Sequence, residues 1–484
     1  MIRKNMMMNT KKTIFLLIAI IISSCAVGPD FQQPVLESPE SYIYADSLWA
    51  DSLDADSLLN FKWWQLFDDP ILDTLVIYAL ENNKNVLIAI SRIEEARATL
   101  GFTKADIYPK LDIQGNATRG NLTANFQTEN ISNYFFIAPV VNWEIDFWGK
   151  FRRANEAARA ELLATHYGLR TIQISLISEV IGTYFLLLDF HKRLNISKQT
   201  LDSRLEGLDI IQKRFDSGII PEIDLNQSQI QKEIAAAAIP LYKRAVVKTE
   251  NALSILLGKL PGNIEEGIGL FHQSKPPEIP PGIPSLLLKR RPDIIQAEYL
   301  LMAQNARIGV AQAMRFPAIN LTGILGVASD DLKTLSTGNP AWSLSGSLFG
   351  PIFNFNKNIR RVEIEEARTR QALLQYENTV LIAFLEVEDA LVEVKTYSDQ
   401  INAVTNKYNA AKNANTLSQN RYDKGVTSYL EVLDTERTLF SVELELSELQ
   451  QQYYNSYVRL YKALGGGWIS EEEMIQAENS IEED

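Results

Sequence analysis

The chain has 484 residues, of which 46% are hydrophobic and 22% charged, with a formal net charge of −13 and a single cysteine. An acidic chain of this kind is not expected to bind nucleic acid, and one cysteine cannot form a disulfide within the chain. The three histidines, at 166, 191 and 272, lack metal-ligand spacing, and no phosphate-binding glycine loop or nucleophile motif is present. The sequence therefore predicts no enzyme, no cofactor and no metal site.

Residues 1–24 have the pattern of an export signal. Four basic residues precede an apolar run over 14–22, which is too short to span a bilayer. The run ends at Ser24-Cys25, which resembles a bacterial lipobox, although Ser24 departs from the usual Gly or Ala. This resemblance implies a covalent lipid on Cys25, and Ala26, in place of Asp, fits sorting to the outer membrane. Without its four signal bases the mature chain carries a charge of −17.

A polar, acidic lead over 25–62 is predicted to be a tether along the protein surface. It contains Ala-Asp-Ser-Leu three times, at a spacing that suits neither a helix nor a strand. The folded part begins near Trp63-Trp64. A helical pattern then extends from about Asp69 to Ala105 and stops before Pro109.

Alternation of apolar and polar residues predicts two pairs of strands. An ordinary antiparallel sheet gives the same pattern, but the export signal favours an outer-membrane barrel. Four strands cannot close a barrel and an open edge cannot lie in lipid, so several chains must share one barrel; three chains would supply twelve strands. The predicted strands cover about 110–118, 140–147, 318–327 and 341–350, with loops over 119–132 and 329–340. Pro139 does not suit a strand interior, so the pattern does not define the first residue of the second strand.

Two very long helices are predicted over 151–215 and 358–422, and each would reach about 100 Å. Apolar residues in the second follow alternating steps of three and four from Leu373 to Ala411. The last helix repeats this spacing from Leu439 to Ala463. Such spacing is typical of coiled-coil contacts.

The chain also repeats itself with an offset of about 208 residues. Tyr108-Pro109 recurs as Phe316-Pro317, and the string over 214–218 (RFDSG) recurs over 421–425 (RYDKG). We predict six segments: a signal peptide over 1–24, the tether over 25–62, a first repeat over 63–270, a Pro-rich connector over 271–290, a second repeat over 291–465 and an acidic tail over 466–484.

Several strings spread over the mature chain together resemble the TolC-like outer-membrane efflux proteins, in particular their lipidated NodT-type branch, which serves RND pumps. The resemblance implies a mainly α fold with β: a trimeric twelve-stranded barrel continued by a periplasmic helical coiled-coil barrel. It further implies an outer-membrane exit duct that works with a periplasmic adaptor and an inner-membrane RND-type transporter. The strings are CAVGPDF over 25–31, WWQLFDDP over 63–70, RRPDI over 290–294, RYDKGV over 421–426, YLEVLD over 429–434 and YKALGGGW over 461–468.

The same resemblance assigns roles to residues near the two Gly turns. The turns would form the periplasmic tip, where the adaptor docks on Arg214, Gly218, Ile219, Arg421, Gly425 and Val426. Acids at Glu431 and Asp434 would narrow the closed aperture, and Asp224 and Tyr422 would hold the tip shut. Thr427 stands where the family has a latching arginine, so the closed-state bonds of the family do not transfer intact. A simpler interpretation is that the Gly residues shape turns and the acids favour the helix start.

Three other classes share parts of this pattern. A passive porin would not need long coiled-coil hairpins, and a periplasmic adaptor would lack the strand pairs and the duplication. A type I-like protein-secretion duct has the same fold and remains the alternative. The lipobox and the string over 290–294 resemble the RND branch more closely.

Overall fold

The computed structural model describes residues 26–36, 38–44, 62–123, 126–274, 284–337 and 339–466. The export signal, Cys25, the Ala-Asp-Ser-Leu repeats, residues 275–283 of the connector and nearly all of the acidic tail lie outside these residues. The described residues fall into two compact units. The sheet unit comprises 26–35, 92–166 and 296–377, and the helical unit comprises the rest of the described chain.

Helices α3 and α7 are the longest elements, and each contributes residues to both units. Their bounds confirm the two predicted long helices to within one residue at each end. Three short 3-10 helices lie at Trp63–Phe67, Leu270–His272 and Leu332–Thr337. The α-helices and strands are α1 (Pro70–Asn82), α2 (Lys84–Ala105), β1 (Lys110–Thr123), β2 (Phe126–Ile145), α3 (Lys150–Asp216), α4 (Glu222–Leu256), α5 (Pro284–Arg290), α6 (Pro292–Ala313), β3 (Ala318–Ser329), β4 (Asn339–Phe349), α7 (Lys357–Asp423) and α8 (Tyr429–Ala463).

The helix predicted from Asp69 to Ala105 is two helices, separated at Asn83. The Asn83 side chain accepts a hydrogen bond from the amide of Asn85 and donates one to the carbonyl of Leu256. Asparagine favours such local bonds, and here they begin a new helix.

Among the described helices, α3 alone is long and apolar enough to cross a membrane. Half of its most apolar stretch is buried within the chain, however, as in a core helix.

The four strands form one antiparallel sheet in the order β1-β2-β3-β4. The expected loop over 119–132 is wrong, because β1 and β2 extend through most of it as one long hairpin. Pro139 lies inside β2 opposite Ile113 and does not start the strand. Proline has no N–H to donate, and the ladder between β2 and β3 is interrupted there, from the pair Ile137–Val327 to the pair Val140–Ile324.

The registers place the predicted apolar positions of all four strands on one face of the sheet. Leu111 pairs with Val141, Val141 with Gly323, and Gly323 with Leu344. This apolar face is largely exposed in the single chain, with Ile113, Leu344 and Leu348 each more than 70% exposed. We call the opposite side the second face; near the helix-linked strand ends it carries Asp112, Asn142, Glu144, Asn320, Thr322, Ser343, Ser345 and Ser347.

The coiled-coil seams of α7 and α8 are confirmed in the helical unit. Val404 of α7 packs against Val442, Leu446 and Leu449 of α8, with Tyr397, Ile401 and Tyr408 at the margin of the cluster. Lys407 and Glu445 form an ion pair across the same pair of helices, with 2.7 Å between Nζ and Oε2. The alternating steps of three and four therefore mark the contact between the two helices.

The string over 63–70 packs within the helical unit around one buried carboxylate. Asp69 is fully buried and caps α1 by accepting hydrogen bonds from the amides of Ile71 and Leu72. Its other oxygen accepts from the Tyr184 hydroxyl at 2.7 Å, the Gln273 side chain at 2.8 Å and the Ile268 amide at 3.1 Å. Trp63, Trp64 and Phe67 are buried as well, so this string forms part of the core of the helical unit.

Arg291 of the string over 290–294 is a buried junction in the helical unit. Its guanidinium pairs with Asp293 at 2.7 Å and Glu386 at 2.6 Å and donates to the carbonyl of Ala463. One side chain thus joins the start of α6, the middle of α7 and the end of α8. A planar group with five donors suits such a junction.

The segment that follows Cys25 is docked on the sheet unit. Arg153, with only 8% of its side chain exposed, donates to the carbonyls of Val27 and Gly28 and pairs with Asp30 at 2.6 Å. Gly28 has φ of +111°, and a Cβ there would lie 2.4 Å from the Cα of Gly309. This close approach requires glycine on both sides.

Candidate functional site

The two Gly turns close in the same way. At the first turn, the Ile219 amide donates a hydrogen bond to the carbonyl of Arg214, and the Gly218 amide donates one to the carbonyl of Phe215. At the second turn, the amides of Val426 and Gly425 donate in the same way to the carbonyls of Arg421 and Tyr422. Both pairs of bonds define a Schellman motif, in which the glycine takes the left-handed conformation. Gly218 has φ of +72° and Gly425 has φ of +70°. The residues predicted at the tip therefore form two equivalent helix ends.

Each turn exposes two apolar side chains at equivalent positions. Ile219 is 70% exposed and Val426 67%, and one turn further on Ile223 is 57% and Leu430 56% exposed. Arg421 is also more than half exposed. Exposed aliphatic side chains beside a basic residue offer contact area to another protein.

The two turns are joined by an aromatic cluster. The Arg214 guanidinium lies 4.7 Å from the centre of the Tyr422 ring, and this ring lies 5.3 Å from that of Tyr429. Ile211, Val432 and Leu433 complete the buried cluster. Cation–π contacts of this kind contribute about 0.5–2 kcal/mol. Arg214, at the first Gly turn, thus contacts Tyr422 at the second Gly turn of the same chain.

Tyr422 and Asp224, both assigned to tip closure, do not bond each other within the chain. The Tyr422 hydroxyl is buried, and the described residues supply it with no hydrogen-bond partner. Burial raises the pKa of the neighbouring Tyr429 to about 12; a hydrogen bond with the Ser228 side chain opposes the shift, and Asp224 is among the charges that add to it. Asp224, in the first turn of α4, is therefore close enough to the tyrosine cluster for its charge to act on Tyr429.

Glu431 is held by two side chains. Thr427 donates a hydrogen bond from Oγ1 to Glu431 Oε2, and Arg421 Nη1 lies 3.3 Å from Oε1. From the sequence Thr427 is only the residue that replaces the latching arginine, whereas in the structure it bonds Glu431 directly. Arg421, assigned to docking, also contacts this acid.

Asp434 is the more solvent-exposed of the two acids. Its side chain is 75% exposed, and its contact with Arg437 is 3.5 Å long. Exposed pairs of this kind contribute about 0–1 kcal/mol. Asp434 lies three residues after Glu431, so both carboxylates share one side of α8.

One buried polar layer above the turns was not predicted from the sequence. Arg204 of α3 is only 5% exposed, donates to the carbonyl of Gln231 and lies over the ring of Phe440. Burial lowers its pKa, which Glu436 opposes, and burial raises the pKa of Glu436, which Arg204 opposes. The only signal in the sequence is an arginine on the apolar side of a helical pattern.

Comparison with known proteins agrees with this architecture. The family described as outer membrane efflux protein matches residues 75–259 and 283–466. The solvent efflux pump outer membrane protein SrpC of Pseudomonas putida is 35% identical over 456 residues, which cover 93% of this chain and 97% of that protein. The cation efflux system protein CusC of Escherichia coli (strain K12) is 33% identical over 455 residues, with 93% and 98% covered.

Solved channels share the fold. The outer-membrane channel OprN superposes with a TM-score of 0.84 at 27% identity, covering 92% of this chain and 100% of OprN. The Campylobacter jejuni CmeC outer membrane channel gives 0.83 at 27% identity, with 94% and 98% covered. These relatives are transport channels without enzymatic activity. The chain belongs to the outer membrane efflux protein family and is a TolC-like channel protein of the outer membrane.

Proposed function

We propose that three copies of this chain form the exit duct of a tripartite efflux system, with one shared twelve-stranded barrel and a gated periplasmic tip. A periplasmic adaptor would dock on the turns over 214–219 and 421–426, and an inner-membrane RND-type transporter would supply the energy. The observation that carries this proposal is a four-stranded sheet with an exposed apolar face and two open edges.

The sheet cannot lie in a bilayer alone. β1 and β4 pair with a neighbour on one side only, so the other side of each presents unpaired backbone groups. Each unpaired group costs several kcal/mol in lipid, and two strands of 14 and 11 residues would cost on the order of tens of kcal/mol. Pairing β4 of one copy with β1 of the next removes this cost, and three copies give twelve strands.

The helical unit has two open sides as well. α8 contacts α7, α3 and α4, which leaves α4 and α7 with outer faces. On α4, Ile223, Ile230, Ile234 and Leu241 are 44–57% exposed at steps of seven, four and seven. On α7, Leu381, Ile382 and Leu385 are 43–69% exposed. Apolar stripes at coiled-coil spacing fit contact between α4 of one copy and α7 of the next.

The docked segment after Cys25 supports a lipid at that residue. A Cβ on Gly149 would lie 2.6 Å from the Cβ of Ala26, and the amide of Val27 donates to the carbonyl of Trp148. Gly149 lies four residues after the end of β2. An acyl chain attached to the residue before Ala26 would therefore start beside the end of a membrane strand.

Two relatives of similar identity suggest that the cargo is set elsewhere. SrpC is named for a solvent pump and CusC for a cation system. We infer that this duct passes the solutes delivered by its transporter, and that its own control lies at the tip. Glu431 and Asp434 would place six carboxylates around the axis of the trimer.

Conductance of the purified protein in planar bilayers tests the duct and the gate together. We expect a small wild-type conductance that rises in Glu431→Ala/Asp434→Ala, because removing the acids frees the aperture. Asp202→Ala/Glu206→Ala is a matched control, since it removes two exposed acids of α3 and should leave the conductance unchanged. A large conductance that the tip variant does not alter would refute the gate. No channel from a protein of trimeric mass would refute the duct.

A further inference from the structure

The second face of the sheet changes character along β2 and β3. Near the helix-linked ends it carries Asn142 and Glu144, but the same side of β2 continues outward as Val140, Ala138, Phe136 and Tyr134. On β3 it changes from Asn320 and Thr322 to Ile324, Gly326 and Ala328. Barrel interiors are normally polar, so an apolar stretch on this face calls for an explanation.

Tyr134 and Phe136 form an ordered pair on this face. Their rings are stacked, with 6.2 Å between centres and 10° between planes, and both side chains are half-buried. Phe136 is opposite Asn116 of β1 and Ala328 of β3, and Tyr134 is opposite Thr118. Small neighbours leave the rings as the largest groups at this level.

The strand alternation decides which side these rings occupy. Aromatic residues at a membrane boundary commonly face lipid, and a lipid-facing position would be the simpler explanation of Tyr134 and Phe136. However, Ile137 and Val141, on the apolar face, are 43% and 40% exposed, whereas Ala138 and Val140 are buried. Phe135 shares the apolar face, so it is the ring that fits a lipid-facing belt. Tyr134 and Phe136 are on the opposite side.

We propose that Tyr134 and Phe136 of three chains form an aromatic collar inside the outer mouth of the barrel, which restricts the passage of bulky hydrophilic molecules from outside. The inference rests on the shared barrel of the proposed function. Twelve strands about 4.8 Å apart and tilted by about 40° enclose a lumen about 24 Å across between backbones. Six inward rings would narrow it by roughly half and line it with surface that water wets poorly.

The test measures how fast a bulky hydrophilic maleimide, added to intact cells, labels a cysteine inside the barrel. Ser345→Cys lies on the second face at the level of Asn142. This level is six residues nearer the helix-linked strand ends than Phe136, or about 20 Å along the strands. We expect slow labelling, which accelerates on the order of 10-fold when Tyr134→Ser/Phe136→Ser is added. Phe135→Ser is the matched control, because it removes a ring from the apolar face and should leave the rate unchanged.

Two further cysteines separate failure of the collar from failure of the barrel. Leu344→Cys, next to the reporter but on the apolar face, should stay unlabelled, and Asp331→Cys beyond β3 should react equally fast with and without the rings. Labelling of Leu344→Cys with protection of Ser345→Cys would overturn the barrel orientation and with it the proposed function. With the orientation intact, an unchanged Ser345→Cys rate after removal of both rings would overturn the collar alone.

Discussion

Removing the carboxylate of Asp69 should destabilise the helical unit more than any other single truncation of a polar side chain near it. Asp69→Ala removes a helix cap, which costs about 1 kcal/mol. It also removes the Asp69 acceptor from the buried Tyr184 hydroxyl, the Gln273 side chain and the Ile268 amide. Gln273 keeps a second acceptor in the carbonyl of Ile268, so two groups, the Tyr184 hydroxyl and the Ile268 amide, are left unsatisfied. Each costs about 1–3 kcal/mol, and together with the cap we expect a total loss of about 3–7 kcal/mol. That is a large part of the stability of an ordinary domain.

The assay is the guanidinium midpoint of the helical circular dichroism signal at 222 nm, at fixed protein and detergent concentrations. Asp69→Asn should fall between wild type and Asp69→Ala, because its oxygen can still cap α1 while its amide meets three donors. Asp202→Ala, an exposed acid of α3, should move the midpoint little. If Asp69→Ala unfolds at the same midpoint as Asp202→Ala, the buried hydrogen bonds of Asp69 do not hold this unit together.

Three further changes should give distinct results. Gly309→Ala brings a Cβ within 2.8 Å of Val27 O and should release the N-terminal segment to limited proteolysis, whereas Gly101→Ala, with open space around it, should not. Gly425→Ala keeps open space but forces φ of +70° on alanine, so a loss of about 1–2 kcal/mol is expected in the same unfolding assay; no loss would contradict the left-handed turn. Burial raises the pKa of Glu436 above 4.5, so the folded chain holds this proton more tightly than the unfolded chain and stability falls as the pH rises above 4.5. Glu436→Gln should flatten this slope above pH 4.5, and an unchanged slope would show that burial does not raise the pKa of Glu436.

Periodic features of the fold could be predicted from the sequence alone. The steps of three and four in α7 and α8 identify buried positions correctly because a helix buries one stripe whatever its partner is. The strand alternation likewise assigns the apolar face correctly. Local rules failed where tertiary pairing outweighed them: the Gly- and Asn-rich stretch after 118 is strand because it pairs across a long hairpin, and Pro139 is tolerated where one ladder is interrupted.

The site could be predicted only in part. The glycines of the turns were identifiable because a sharp helix end needs the left-handed conformation, and both have it. Contacts such as Thr427 with Glu431, or Arg214 with Tyr422, depend on rotamers and on how two hairpins meet, which spacing along the chain does not encode. The buried Arg204 was missed because a single charge in a long helix usually lies in solvent.

The open edges of the sheet have a genetic consequence. In the proposed trimer each chain completes the backbone bonds of both neighbours, so one chain with a defective edge leaves the whole ring unclosed. Cells that make equal amounts of intact and edge-defective chains would assemble only about one ring in eight from intact chains alone. A proline in β4, at a position whose N–H would bond β1 of the next chain, should therefore act as a dominant-negative allele and lower export well below half. Loss of one gene copy would not lower export that far.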